Sequence, residues 1–155
     1  MSVTYALVSD LDNKSTMLAL KGKGVKDDSC IYLIQNTNTL IKKLQTGDTV
    51  VVISIDRFGS VVWMVQIFEY LRQNGVAFKS IQEPYLEFRD GKELKRGVVE
   101  YLNQLCADEA SLIKGIEATC KNPNYTAHLS RQVRLLCLRV VQRTFAEKGL
   151  IRRKS

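Results

Sequence analysis

The chain has 155 residues, of which 45% are hydrophobic and 25% are charged, the composition of one ordinary globular domain rather than of a disordered chain. It contains neither a run of eighteen apolar residues nor a basic leader followed by an apolar segment, so we expect no membrane span, no secretory signal and a cytoplasmic location. The formal charge of +7 favours a polyanionic partner, nucleic acid ahead of an anionic membrane surface.

The first part of the chain predicts alternating strands and helices. Val3–Val8 and Cys30–Ile34 are short apolar runs typical of buried strands. Capping residues and apolar spacing predict a helix over Asn13–Gly22 and a second helix that begins at residues 36–38. Ser9 directly follows the first run, where it is a turn residue or a helix cap unless another strand end supplies it with partners.

The central stretch begins with a Gly-Asp turn and continues as the apolar run Thr49–Ile53. This run has no polar alternation, which predicts a strand buried on both faces of a parallel sheet covered by helices. Asp56 and Arg57 follow it. Because ligands of open α/β sheets bind beyond the carboxyl ends of the strands, this pair lies where chemistry is expected. It is equally explained as an ion pair that caps the strand.

The second half predicts a helix over Ser60–Gln73, a strand over Val76–Ile81 and a polar loop before a long helix. The fold class is therefore α/β, with a mostly parallel sheet of four to five strands flanked by helices. The long helix, residues 93–118, would be about 39 Å long and would overhang a small domain. A partner subunit is the natural cover for its end, so we expect a homodimer through this helix.

The positive charge is concentrated at the C-terminal end. Residues 1–120 carry 14 Lys/Arg and 15 Asp/Glu, whereas residues 121–155 carry nine and one. We therefore expect an α/β domain of residues 1–120 and a basic helical extension of residues 121–155. Its helix, from His128 to Lys148, is expected to turn Leu129, Val133, Leu136, Val140 and Val141 inward. A basic amphipathic helix is typical of contacts with DNA phosphates, membranes or acidic partners, and also of a merely solubilising surface. The candidate DNA contacts are Arg131, Arg134, Arg139, Arg143, Arg152, Arg153 and Lys154.

The cysteines and glycines give no sign of a metal or a cofactor. The four cysteines lie far apart without a CxxC pair, and His128 is the single histidine, so clustered zinc ligands are not expected. The Gly22-Lys23-Gly24 segment is a lone GxG that fits a helix stop. We expect reduced thiols, no metal, no cofactor and no membrane partner.

The order of the strand-end residues resembles that of the serine recombinases, the resolvase/invertase family. Tyr5-Ala6-Leu7-Val8-Ser9 looks like that family's Tyr-x-Arg-x-Ser motif, and the segment Ile55–Ser60 (IDRFGS) is similar to its Leu-Asp-Arg-Leu-Gly-Arg block. The segment Leu71–Ile81 and a long helix containing Ala107-Asp108-Glu109 continue in the same order. The resemblance covers roughly residues 3–118 and implies a resolvase-like fold.

The resemblance also implies a chemistry. In that family a serine attacks a DNA phosphodiester to form a phosphoserine link, and arginines bind the scissile phosphate. Ser9 matches the nucleophile, and Asp56 and Arg57 match the acidic and basic pair. Guanidinium groups suit this task because they stabilise the spread negative charge of the phosphate better than point charges do.

This chain departs from the family pattern at three of four expected arginines. Leu7 and Ser60 stand where two of them belong, and residues 34–44 contain no arginine. Loss of one such donor typically costs ~10²–10³ in rate. The last 35 residues are also too short for the usual three-helix DNA-binding unit.

Two hypotheses follow, in this order of preference. The first is a recombinase-like protein without strand cleavage that acts as a DNA-binding, assembly or regulatory module. The second is a divergent active serine recombinase that uses Ser9, Asp56 and Arg57 with substituted cations. A third class, an unrelated small-molecule α/β enzyme, has no cofactor motif to support it.

Overall fold

The structure is a computed structural model that describes residues 2–9 and 12–154, with side chains as far as residue 146. The chain folds into two compact units, which we call the sheet unit (residues up to Arg57, and Phe68–Leu94) and the helical unit (Phe58–Ile67, and Lys95 onward). The elements in chain order are β1 Thr4–Val8, α1 Lys14–Gly22, β2 Ile31–Leu33, α2 Thr37–Ile41, β3 Thr49–Val52, α3 Val61–Gln73, β4 Ala77–Ser80, α4 Arg96–Thr119 and α5 Pro123–Lys154.

The sheet has four parallel strands in the order β2-β1-β3-β4. This confirms the predicted α/β class and the parallel sheet. Val50, Val51 and Val52 of β3 are all at most 1% exposed, as expected for a central strand that is covered on both faces. On one face, Ala6 of β1 and Leu20 of α1 belong to the same buried cluster.

The other face of the sheet is covered by the C-terminal half of α3. Phe68 of that helix lies 4.6 Å from Phe78 of β4 and 5.3 Å from Phe88, measured between ring centroids. Phe88 is held there because its backbone pairs with that of Phe78. Leu7 and Val52, which are neighbours in register, are also buried. Aromatic packing of this kind contributes about 0.5–1.5 kcal/mol per ring pair beyond the buried area.

The helical unit is built on α4 and α5. The Tyr101 hydroxyl of α4 lies 2.9 Å from the Thr144 hydroxyl of α5, and its ring meets the edge of Phe145 at 5.9 Å. The long helix predicted over residues 93–118 begins at Arg96 and ends at Thr119. Since α5 packs along α4, part of the cover expected from a partner subunit comes from the same chain.

The prediction for α5 was wrong in both bounds and in the inward side, and the helix ends at Lys154 rather than at Lys148. The helix begins at Pro123 rather than at His128, because the Asn122 side chain accepts the N–H groups of Asn124 and Tyr125 and so caps an earlier first turn. Leu136 and Val140 were expected inward but are 55% and 46% exposed. The helix has apolar residues on two sides, and the side turned inward carries Cys137, Leu138, Val141 and Phe145.

No helix within the described residues is long and apolar enough to cross a lipid bilayer.

Candidate functional site

Ser9 lies directly after β1 and is hydrogen-bonded to Asp12. The Ser9 N–H donates to Asp12 Oδ2 at 2.8 Å, and the Asp12 N–H donates back to the Ser9 carbonyl at 3.1 Å. The Asp12 side chain is 1% exposed. Asp12 was not among the predicted site residues, yet it fixes the backbone that carries Ser9.

Arg57 lies in a 3₁₀ turn over Ile55–Phe58 that follows β3. Its Nη2 donates to Asp12 Oδ1 at 2.7 Å, its Nε lies 3.2 and 3.3 Å from the two Asp12 oxygens, and its Nη1 donates to Asp56 Oδ1 at 2.7 Å. The structure therefore brings Ser9, Asp56 and Arg57 to one place, joined through Asp12. We call these four residues the strand-end cluster.

The charges of the strand-end cluster oppose phosphate binding. The hydrogen bond to Asp12, and then the charge of Asp56, raise the pKa of Arg57 above its ordinary value. One guanidinium thus faces two carboxylates, which gives the cluster a formal charge of −1. Because N–H groups on Nε, Nη1 and Nη2 of Arg57 already bind carboxylate oxygens, an anion would find only the remaining N–H groups and would be repelled by two carboxylates.

The turn that carries Arg57 is fixed by a buried carboxylate. Glu83, which is 5% exposed, accepts at Oε1 from the Ile55 N–H at 2.6 Å, from Ser80 Oγ at 3.2 Å and from Ser54 Oγ at 3.4 Å. These bonds join the end of β3 to the end of β4. Sequence patterns carry no signal for this role, because Glu83 falls in the polar loop after β4.

The positions where the family has arginines serve structural purposes in this chain. Leu7 is 1% exposed and belongs to the core of the sheet unit. The arginine expected at the start of the second helix has no counterpart, and Lys43, which follows α2, places its Nζ 5.6 Å from the centre of the Tyr32 ring. In the helical unit, Ser60 Oγ accepts the Trp63 N–H at 2.9 Å, which makes Ser60 the N-cap of α3.

A second buried carboxylate holds the start of α3 to α4. Glu109 is 2% exposed, and its Oε2 accepts the Val61 N–H at 2.9 Å. Next to it, the Cys106 thiol donates to the Val61 carbonyl at 3.8 Å. Burial, and then the Glu109 charge, raise the pKa of Cys106 to about 11. A carboxylate near the N-terminus of a helix also interacts favourably with the helix dipole.

A groove of about 580 Å³ lies in the helical unit beside this contact. We call it the basic groove, because Lys114 of α4 and Arg131 and Arg134 of α5 line it together with Trp63 and Glu117. Within the part of the chain that is described, none of these three cations forms an ion pair or a hydrogen bond through its side chain.

The other predicted DNA contacts lie along α5. Arg139 and Arg143 are exposed, and neither lines the basic groove. The side chains of Arg152, Arg153 and Lys154 lie outside the described residues. Among the described His, Cys, Asp and Glu residues, no three are grouped so that they could hold a metal ion.

The comparison with protein families identifies the class of this fold. The sequence model described as "Resolvase, N terminal domain" matches residues 35–115, which is 81 of the 155 residues. The chain therefore belongs to the resolvase family, and this membership supports a function related to DNA recombination. The matched residues include Asp56, Arg57 and Ser60 but begin after Ser9. A search of curated proteins finds no match.

Proposed function

We propose that this chain is a resolvase-family protein that binds DNA without cleaving it and acts as a binding, assembly or regulatory module. The observation that carries the proposal is the state of Arg57, whose guanidinium is held between Asp12 and Asp56. A residue in that state is a structural ion pair rather than a ready phosphate ligand. Family membership supplies the connection to DNA, and the charge of α5 supplies the contact surface.

Cleavage would need positive charge at the phosphate that the serine attacks. As the pentacoordinate transition state forms, negative charge spreads over the phosphate oxygens, and preorganised cations must already face it. The strand-end cluster offers one cation against two carboxylates. Leu7 of β1, which is buried in the core, is apolar where the family has an arginine, so neither activation of Ser9 nor charge stabilisation is supported.

The proposed DNA contacts are the arginines of α5. Arg131, Arg139 and Arg143 are exposed, and no ion pair within the described residues occupies them. Contacts of this kind neutralise phosphates and release counterions, so binding should weaken steeply as salt rises. We include Arg152, Arg153 and Lys154 in the same surface on the basis of sequence alone.

We also propose a homodimer through α4. Leu105, Leu112 and Ile116 share one side of this helix at helical spacing, and Leu112 is 53% exposed although it lies beside the buried Ile113. Size-exclusion chromatography with light scattering tests the proposal. Leu112→Asp should shift a dimer toward monomer, whereas Leu18→Asp, at a leucine that is 70% exposed on α1, should not. Equal masses for all three proteins would contradict it.

Two measurements test the main proposal. The first is a titration of duplex DNA at several salt concentrations. Arg139→Gln combined with Arg143→Gln should weaken binding and lower the salt slope by roughly one per lost phosphate contact. Arg72→Gln combined with Arg96→Gln is the matched control, because both arginines pair with glutamates outside α5.

The second measurement is a search for a covalent adduct after incubation with supercoiled and linear DNA. We expect none from the native chain. An adduct that disappears in Ser9→Ala would overturn the proposal and establish the alternative, an active divergent serine recombinase. DNA binding that is absent at low salt would remove the nucleic-acid part of the proposal.

A further inference from the structure

We infer that the basic groove of the helical unit is a binding site for a single nucleotide, with its base against Trp63 and its phosphate on Arg131, Arg134 and Lys114. The inference rests on the proposed DNA-binding function and deepens it, since it names an unpaired nucleotide as the group recognised. The nucleotide comes either from a single-stranded segment of DNA or from a free mononucleotide.

The size and shape of the groove favour one nucleotide. Its volume of about 580 Å³ falls within the range of roughly 300–1,000 Å³ that small-molecule sites occupy. A duplex cannot enter a space of this size, whereas one base with its sugar and phosphate can. The groove lies among three helical segments of one unit, so the residues that line it are positioned by the same packing.

Trp63 provides the surface for the base. Its indole is half-buried and meets the ring of Phe58 edge-on, with centroids 6.2 Å apart and planes at 85°. Phe58 is itself 3% exposed and fixes the orientation of the indole. Aromatic side chains held in this way are the usual platforms for unpaired bases, since every base has a planar face.

The charges of the groove provide the phosphate contact. Lys114, Arg131 and Arg134 have no ion-pair partner among the described residues, in contrast to Arg57 in the sheet unit. Of the two carboxylates that line the groove, Glu109 already accepts the Val61 N–H, while Glu117 is exposed. The formal balance of these five side chains is +1, and two guanidinium groups can bind phosphate oxygens bidentately.

The same groove offers polar groups for the edge of a base. Gln66 is exposed and lines the groove, and its amide can donate and accept hydrogen bonds. The Glu117 carboxylate can accept a hydrogen bond from an exocyclic amino group of the base. A simple anion site would need the cations alone. A groove for an apolar peptide would not be lined by three cations that lack partners among the described side chains. The combination of ring, cations and amide is what points to a nucleotide.

Intrinsic fluorescence tests the inference directly, because Trp63 is the single tryptophan of the chain. We expect quenching by a short single-stranded oligonucleotide and no quenching by inorganic phosphate or by an abasic phosphodiester oligomer of the same charge. Quenching by a 5′-mononucleotide as well would identify free nucleotides as a source. Absence of quenching by every base-containing probe would overturn the inference.

Variants separate this site from general DNA binding. In titrations of a labelled single strand, Trp63→Leu should weaken binding roughly 10- to 100-fold, Trp63→Phe should restore most of it, and Arg134→Gln should weaken it. Arg96→Gln, whose charge is paired with Glu100, should leave it unchanged. If Trp63→Leu and Trp63→Phe both remain folded by circular dichroism and bind like the native chain, the inference fails while the DNA-binding proposal stands. If a mononucleotide quenches the Trp63 fluorescence but the chain binds no DNA, the proposed DNA-binding function is wrong and the nucleotide site is supported.

Discussion

Arg57 and Asp12 form a nearly buried ion pair in which Nη2 lies 2.7 Å from Oδ1 and the carboxylate side chain is 1% exposed. The pair joins Asp12, which is bonded to Ser9 at the end of β1, to the 3₁₀ turn after β3. Removing Arg57 would leave the Asp12 carboxylate as an uncompensated buried charge, whereas removing Asp12 leaves Arg57 partly exposed and still paired with Asp56. The predictions for the strand-end cluster follow from this contact.

Asp12→Asn should release Arg57 for anion binding. The substitution removes the carboxylate that binds both Nε and Nη2, so we expect a loss of about 1–3 kcal/mol in the free energy of unfolding together with tighter DNA binding and a steeper salt slope. Urea unfolding and salt-dependent DNA titration measure the two effects. Asp56→Asn is the control, since its side chain is 35% exposed and its loss should cost less. An unchanged stability in Asp12→Asn would contradict this account.

Leu7→Arg places the family's residue type in this chain and should destabilise it. Leu7 is 1% exposed, and a guanidinium there would have no partner within the core, so we expect a loss of at least about 3 kcal/mol. Leu7→Met, which conserves volume and polarity, should cost less than about 1.5 kcal/mol. Chemical denaturation compares the unfolding midpoints of the two variants. Similar midpoints would contradict the prediction, because they would show that a charge is tolerated at position 7.

Ser60→Ala should weaken the N-terminus of α3. It removes the hydroxyl that accepts the Trp63 N–H, a change that typically costs about 0.5–2 kcal/mol. Ser60→Asn should retain most of the stability, because an amide oxygen caps a helix equally well and adds no charge beside Glu109. Thermal unfolding ranks the variants. A Ser60→Ala protein as stable as the native one would remove the capping role assigned to this hydroxyl.

Cys106 should titrate far above an ordinary thiol. Its pKa is raised from 9.0 to about 11 by burial and by Glu109, so alkylation by iodoacetamide should follow a midpoint near 11. The folded chain holds this proton more tightly than the unfolded chain. Its contribution to stability is therefore complete below pH 9 and is lost as the pH rises toward about 11.

Mass spectrometry of Cys106 alkylation against pH tests this prediction, with Cys106→Ala as the control for reaction at other thiols. Glu109→Gln should lower the midpoint, because it removes the second cause of the shift. A midpoint near 9 in the native chain would contradict the buried environment described for this thiol.

Much of the sheet unit could be predicted from the sequence. After Thr49, β3 consists of three consecutive valines. Only a strand covered on both faces buries all three, and this reasoning predicted the parallel sheet and the helices that cover it. The same reasoning placed Ser9 and Arg57 at carboxyl ends of strands. The parallel pairing of β1 with β3 then brings these ends to one edge of the sheet.

The carboxylates could not be found in this way. Asp12, Glu83 and Glu109 are types that normally face water, and sequence patterns therefore assign them to the surface. Each is buried because a specific donor meets it from a distant segment: Arg57 for Asp12, the Ile55 N–H for Glu83 and the Val61 N–H for Glu109. The inward side of α5 was predicted wrongly for a related reason. Because α5 has apolar residues on two sides, the sequence pattern does not determine which side packs against α4.

The Glu83 contact has a consequence for the order in which the chain folds. The 3₁₀ turn at Ile55 is completed by a carboxylate 28 residues later, so local interactions alone cannot finish it. We expect the Ile55 amide to gain protection from hydrogen exchange together with β4 and later than the amides of α3, because closure of a loop of this length is slower than helix formation. In Glu83→Gln, the Ile55 amide should no longer become protected at the same time as the amides of β4. Pulse-labelling hydrogen exchange during refolding would measure the difference between the two times. On this expectation, the turn that carries Arg57 is completed only once β4 has paired with β3.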